Sequence, residues 1–540
     1  MKYISSFFLL VLSFTSISAQ NSKGVERPKL VVGVVLDQMR PDYLYRFYSR
    51  LSARGFKRLM HEGNVCENTF INYLPSYTGP GHACIYTGTV PSLHGIASND
   101  WIDRESGANI YCTADLEANH IGGTVKAGRM SPKNLWSSTI TDELRLATHF
   151  KSKVIAISVK DRGAILPGGH TANASYWMDD SNAVFMSSDF YMKELPTWVQ
   201  VFNERKLAKT YMQSNWNPLF PINSYSESTV DDNLYEGKFT GETTTKFPHL
   251  TANLPLNDIK KTPYGNDIIF DFTKEAILQE KLGQGAATDF LAVSFSSTDY
   301  IGHAYGPNSV EIEDCYLRMD KTIEQLIDFL DAEVGDNQYT LFLTADHGVA
   351  QVPLFLKDHK IPAGLYFTSS LKTELNAMLQ QKFSKQNIVK DISENFIWIN
   401  DSVVNAYNLD KHLISQEIIR QIKFKKEIHY AVDMHEIVGS NLPSKIKDMA
   451  INGFVEKRSG DILLLLNPGW LDAYAKTGTT HGTWNPYDTH IPLIWYGWGI
   501  QKGITRREVY MTDIAATLAT LLHIQMPNAC IGKTIEDVLK

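Results

Sequence analysis

The sequence predicts an α/β fold: a mostly parallel central sheet between helices, with inserted segments over one rim. Three observations predict it. Short apolar runs at 30–36, 290–295 and 340–344 each lead into an Asp. A fourth run, 491–496, follows a Thr-His-Gly-Thr element, and stretches of helical spacing alternate with the runs. Apolar runs of this length without polar alternation read as strands buried on both faces, as parallel strands are. Their alternation with helices reads as repeated crossover units of one layered sheet.

The elements follow in chain order. Residues 1–19 have the form of a secretory leader, with Lys2, an apolar stretch at 7–14 and small residues Ser16-Ile17-Ser18-Ala19 at which to cut. The stretch is too short for a membrane span. The mature chain is then 20–540, exported to the periplasm or beyond, with no transmembrane segment left. Strand 30–36 closes on Asp37, and a helix-like stretch covers about 41–62. In the loop Tyr73-Leu74-Pro75-Ser76-Tyr77-Thr78-Gly79-Pro80-Gly81-His82, Pro80 suits the first turn of a helix, and Thr78 or Gly79 suits its cap. Strand 154–159 ends at Lys160-Asp161-Arg162. From about 167 to 263 the texture turns aromatic, polar and turn-rich, as in an insertion that covers a site. Strand 290–295 leads through Ser296-Ser297-Thr298 to Asp299, with His303 four residues on. Helix 314–330 precedes strand 340–344, which leads to Asp346-His347-Gly348. A second insertion, about 353–469, reads as a small α+β cap with a strand-like segment at 396–399. Residues 512–522 read as a final packing helix.

The 540 residues, 43% hydrophobic, are ample for a large core. The formal charge of -7 carries no basic footprint of a nucleic-acid binder. An anionic ligand must therefore be held by local cations or metals. The five cysteines fit no zinc-ribbon or C-x-x-C spacing, and their odd number leaves at least one thiol unpaired.

Ligands of parallel sheets gather at the carboxyl ends of the strands. Asp37, Asp299, His303, Asp346, His347 and His481 are then six oxygen and nitrogen donors aimed at one rim. Each has a plainer reading alone: an Asp after a strand caps a helix, and a solitary His is structural. Together they suit two Zn²⁺ ions, since mixed imidazole and carboxylate sets favour zinc and all-oxygen sets favour Mg²⁺ or Ca²⁺. His82, His94 and His490 lie near the set in sequence and suit a supporting role. His490 is the alternative ligand to His481.

Thr78 is the candidate nucleophile, just before a helix whose free N–H groups favour anions. Coordination to Zn²⁺ would favour its alkoxide; the plainer reading is a helix cap. Asn99 offers an amide to a phosphoryl oxygen. Lys160 and Arg162, one residue apart on an extended chain, project to one side. Arg grips two oxygens with its fork, and Lys acts as a point charge.

These motifs together resemble the alkaline phosphatase superfamily, in particular the phosphate-irrepressible bacterial alkaline phosphatases with a threonine nucleophile. The matching strings are Val35-Leu36-Asp37-Gln38, Tyr77-Thr78-Gly79-Pro80-Gly81-His82, Ser98-Asn99-Asp100, Val159-Lys160-Asp161-Arg162-Gly163, Ser297-Thr298-Asp299-Tyr300-Ile301-Gly302-His303, Thr344-Ala345-Asp346-His347-Gly348 and Thr480-His481-Gly482-Thr483. The resemblance implies an α/β/α sandwich and two zinc ions per chain. One would be held by Asp37, Asp346, His347 and the Thr78 oxygen, the other by Asp299, His303 and His481. It implies phosphate monoesters as substrates, a phosphothreonine at Thr78, and Asn99, Lys160 and Arg162 on the phosphoryl oxygens. Phosphodiesterases and nucleotide pyrophosphatases of the superfamily are the alternative. They share the zincs and the Thr but usually cover one phosphoryl substituent with an apolar pocket where Lys160 and Arg162 stand here. Sulfatases need a C/S-x-P-x-R motif, absent around Thr78. The complete nucleophile and ligand set argues against a catalytically inactive zinc-binding protein.

Overall fold

The computed structural model describes residues 25–472 and 476–540, so the leader reading of 1–19 lies outside the described residues. A ten-stranded sheet runs through the centre. Its order is Gly503–Thr505, Asn64–Cys66, Leu493–Gly497, Tyr339–Thr344, Leu30–Leu36, Asp289–Phe295, Val154–Ser158, Ala174–Met178, Phe185–Ser188, His120–Ile121. The five neighbours from Tyr339–Thr344 to Ala174–Met178 are parallel. Leu30–Leu36, Asp289–Phe295 and Tyr339–Thr344 are buried along their whole length. Helices cover both faces, which is why these strands read as unbroken apolar runs. Thr78–Thr87, Ile140–Ala147, Asp161–Gly168 and Asp513–Leu522 pack together in one layer. Phe56–Glu62, Tyr264–Glu280, Ser297–Tyr305 and Val310–Leu330 pack together in the other.

Three sequence expectations need correction. The run 491–496 is not one parallel strand. Pro492, which has no N–H to give, divides it into His490–Ile491 on a small side sheet and Leu493–Gly497, antiparallel to Tyr339–Thr344. The stretch 41–62 is not one helix but Asp42–Arg46, a short 3₁₀ turn Tyr48–Arg50, and Phe56–Glu62. The break is held by Asp320 on the helix Val310–Leu330, whose carboxylate accepts the N–H groups of Ser52 and Phe56 at 2.6 and 2.8 Å. The central sheet also continues past 167, because Ala174–Met178 and Phe185–Ser188 are two of its strands. The turn-rich stretch follows them.

The segment around 353–469 carries its own antiparallel sheet, ordered Val389–Ser393, Phe396–Ile399, Ile462–Leu466, Ile428–Asp433. Alternation along the strands gives each face a job. Ile397, Ile399, Ile462 and Leu464 pack with Leu371, Leu375, Ile414 and Ile418 of the cap's own helices. Phe396, Trp398, Leu463 and Leu465 pack against Leu74, Ile96 and Trp101 of the main body. All five cysteines are free thiols.

Candidate active site

Four adjacent parallel strands deliver side chains to one rim. Leu30–Leu36 hands on to Asp37, and Tyr339–Thr344 to Asp346 and His347. Asp289–Phe295 leads into the helix Ser297–Tyr305, with Asp299 in its first turn and His303 one turn later on the same face. Val154–Ser158 leads to Lys160. His481 arrives from a loop rather than from a strand end.

Five of the six donors form two groups that share Asp299. Ligand atoms of Asp299, His303 and His481 lie within 4.8 Å of one another, and so do those of Asp37, Asp299 and His347. Asp346 Oδ2 is 3.5 Å from His347 Nε2. The three imidazoles are oriented alike. Nδ1 of His303, His347 and His481 each lies 2.9 Å from a backbone carbonyl, of Thr479, Gly348 and Ser76 respectively. A carbonyl only accepts, so each Nδ1 carries a proton and each Nε2 is turned toward the carboxylates. The His347 and His481 rings stack with centroids 3.4 Å apart. Burial and the neighbouring His347 and His303 push His481 well below the ordinary imidazole value, which keeps it in the neutral ligand form.

The carboxylates carry more negative charge than the protein balances. Lys160 Nζ lies 2.7 Å from both Asp37 Oδ2 and Asp299 Oδ2. Against the cost of burial, Lys160 and His303 hold Asp299 well below the carboxylate range. Burial and the charge of Asp346 push Asp37 up to about 6. Asp37 Oδ1 and Asp346 Oδ2 are buried without a hydrogen-bond partner. Orphaned carboxylate oxygens beside converging imidazole Nε2 atoms are what divalent cations require, and the mixed donor set fits zinc.

Thr78 is the first residue of the helix Thr78–Thr87; Tyr77 occupies the cap position, with no side-chain cap bond. The capping reading of Thr78 and Gly79 is thereby replaced. The Thr78 hydroxyl instead lies 3.3 Å from His347 Nε2. The helix comes this close because residue 81 is Gly: a Cβ there would stand 2.6 Å from the Asp346 carbonyl oxygen. Asn99 Oδ1 accepts the Gly79 N–H at 2.8 Å, which leaves the Asn99 Nδ2 hydrogens for a ligand.

Lys160 and Arg162 do not share an extended segment, because a helix starts at Asp161. Lys160 turns inward to the carboxylates, while Arg162 Nη1 donates to the Tyr111 hydroxyl at 2.9 Å and its Nε is buried without a partner. Both still line one cavity of about 360 Å³, with Tyr111, Tyr300 and Lys260. A larger cavity, about 510 Å³, opens beside Arg40, Tyr45 and His490 and touches none of the donors.

Of the three supporting histidines, only His82 reaches the set, with Nδ1 3.3 Å from Asp346 Oδ2. His490 bonds the Glu67 carbonyl and stacks on Phe70, so it is no substitute for His481. His94 meets Cys84 and the Ile96 N–H. Sequence reasoning gave no role to Gln38, whose side chain donates to Asp299 Oδ1 at 2.7 Å and whose backbone N–H donates to Asp346 Oδ1 at 3.1 Å. Its place directly after Asp37 was the available signal. Tyr111 and Glu394, whose carboxylate accepts the Asn99 N–H at 3.2 Å, carried no local signal at all.

Comparison with known proteins shows the family. The family model described as type I phosphodiesterase / nucleotide pyrophosphatase matches residues 31–489. The chain is 48% identical over 519 residues to alkaline phosphatase PhoV of Synechococcus elongatus, covering 96% of this chain and 94% of the relative. It is 43% identical over 528 residues to alkaline phosphatase PafA of Elizabethkingia meningoseptica, covering 97% and 96%. It is 46% identical, over the full length of both chains, to a Myroides odoratus protein named calcium-transporting ATPase. Among the described residues no helix is long and apolar enough to cross a membrane. The crystal structure of PafA superposes with a TM-score of 0.93, covering 96% of this chain and all of that one.

Proposed function

We propose a two-metal, phosphothreonine mechanism for this chain, which belongs to the alkaline phosphatase superfamily and, within it, to the type I phosphodiesterase / nucleotide pyrophosphatase family. Its reaction is the hydrolysis of phosphate monoesters, the activity that PhoV and PafA are named for. The observation that carries the mechanism is the Thr78 hydroxyl, free of any capping bond and turned to His347 of one donor group.

Asp37, Asp346 and His347 with the Thr78 oxygen would hold one zinc ion, and Asp299, His303 and His481 the other; when bound, the pair supplies Lewis-acid stabilisation of the attacking and leaving oxygens. Thr78 Oγ1 attacks phosphorus, the bond from phosphorus to the alcohol oxygen breaks, and a phosphate ester forms on Thr78. Water then cleaves that ester, releasing inorganic phosphate and restoring the hydroxyl. Asn99 donates from Nδ2 to a phosphoryl oxygen. Arg162 grips the outer oxygens, and Lys160 offsets charge between Asp37 and Asp299 as the dianion arrives. Carbonyls behind the imidazoles hold each Nε2 in the orientation a metal needs.

The proposal includes export of the chain, on the leader pattern at 1–19. Initial rates on an aryl phosphate monoester and its matching diester, with bound zinc counted on the same sample, test the mechanism. A preference for the diester, or full monoesterase activity without metal, overturns it.

A further inference from the structure

The turn between Val389–Ser393 and Phe396–Ile399 is two residues long, Glu394 and Asn395. Both have positive φ, 52° and 64°. Tight hairpin turns demand this of both central residues; Asn and Gly accept it readily, and Glu gains nothing local from it. What Glu394 gains lies across the interface between cap and body. Its Oε2 accepts the backbone N–H of Asn99 at 3.2 Å. The next residue reaches the opposite wall of the site, where Asn395 Nδ2 donates to the Gly482 carbonyl at 2.9 Å and lies 3.5 Å from the Tyr77 hydroxyl. Gly482 follows the donor His481, and Tyr77 precedes Thr78. The tip of the inserted cap thus touches loops on both sides of the nucleophile. On the Asn99 side the contact is relayed, because Asn99 Oδ1 in turn accepts the Gly79 N–H at the start of the Thr78 helix.

Resting on the mechanism above, we propose that Glu394 is a positioning residue for phosphoryl transfer: the cap insertion fixes the Asn99 backbone so that the Asn99 amide faces the phosphoryl group. The cap is on this reading a working part of the site and not only its cover. Burial and the nearby charge of Asp100 push the Glu394 carboxyl up to about 8, partly offset by the Asn99 N–H and Arg162. A neutral amide of the same length, which keeps a carbonyl-type acceptor, is therefore the conservative replacement.

Two variants separate positioning from folding. Glu394→Asn keeps a residue that favours positive φ but is one methylene short of Asn99. Glu394→Gln keeps the reach and the acceptor. In the zinc-loaded enzyme, Glu394→Asn should lower monoester kcat/KM about tenfold, the scale of one lost buried hydrogen bond. It should weaken binding of inorganic phosphate, read by calorimetry, by a similar factor. Glu394→Gln should stay within about twofold of the parent on the same scale. In an Asn99→Ala background, Glu394→Asn should change neither quantity further, since nothing is left to position. Three results would each overturn the proposal: Glu394→Asn equal to the parent, Gln no better than Asn, or a further full tenfold loss in the Asn99→Ala background. Absence of monoester turnover in the parent would sink the mechanism instead, and the phosphate affinities would still judge Glu394.

Discussion

Thr78 Oγ1 lies 3.3 Å from His347 Nε2 across a separation of 269 residues. His347 Nδ1 donates to the Gly348 carbonyl, which turns Nε2 toward Thr78. The hydroxyl and Nε2 thus meet at the place where a shared cation would bind both. Thr78→Ser keeps the oxygen and should retain substantial monoesterase activity. Thr78→Ala removes nucleophile and ligand together and should lose nearly all of it. Mass spectrometry of acid-quenched turnover should find phosphate on Thr78; phosphate trapped on another residue refutes the assignment.

Metal removal should be decisive and reversible. Dialysis against a strong chelator should abolish monoester hydrolysis. Added Zn²⁺ should restore it as elemental analysis approaches two ions per chain, because Asp37 Oδ1 and Asp346 Oδ2 are buried with no hydrogen bond to hold their charge. Activity that survives with no metal detected contradicts the donor assignment.

Arg162 and Lys160 should fail differently when truncated. Arg162 touches neither donor group, so Arg162→Ala should remove mainly the grip on the dianion's extra oxygen. A charge-assisted contact contributes about 1.5–3 kcal/mol, which is roughly tenfold to a hundredfold in monoester kcat/KM. Diester hydrolysis should fall much less. Lys160 sits 2.7 Å from both Asp37 and Asp299, so Lys160→Ala should also weaken diester turnover. Equal losses on both substrates for Arg162→Ala mean that it supports the fold and not the monoester.

The fold should weaken in acid partly through His94. His94 is fully buried; its Nδ1 accepts the Ile96 N–H, and Nε2 faces Cys84 Sγ. Burial, reinforced by the charge of Arg458, pushes its pKa from 6.5 down to about 3. Between those values the unfolded chain binds a proton that the folded chain refuses, so stability is full above about 6.5 and falls as pH drops through the window. His94→Gln should reduce the slope of unfolding free energy against pH by about one proton there. Denaturant titrations at several pH values measure it, and an unchanged slope rules His94 out.

What the sequence could announce follows from burial. Strand Leu30–Leu36 was legible to the residue because both its faces are covered, and the Asp or His at each strand end stood out against an apolar run. The same reasoning singled out Asp37, Asp299, Asp346 and His347, which the fold gathers at one rim. It failed where one residue within the stretch, or a distant partner, decides. Asp320 divides the stretch 41–62, Pro492 reverses the sense of an apolar run, and a helix beginning at Asp161 sends Lys160 and Arg162 to different partners. Glu394 was invisible because its role lies in a contact 295 residues away, with nothing in its neighbours to mark it.

The donors are scattered along the chain, and their spacing sets the order of maturation. Asp299 and His303 cannot complete their group until His481 has been made and its ring has found the Ser76 carbonyl, 405 residues back. A nascent or proteolysed chain that stops short of residue 481 holds only fragments of a chelate. On the proposed two-zinc mechanism, metal capture is therefore a late event that only a chain reaching residue 481 can complete.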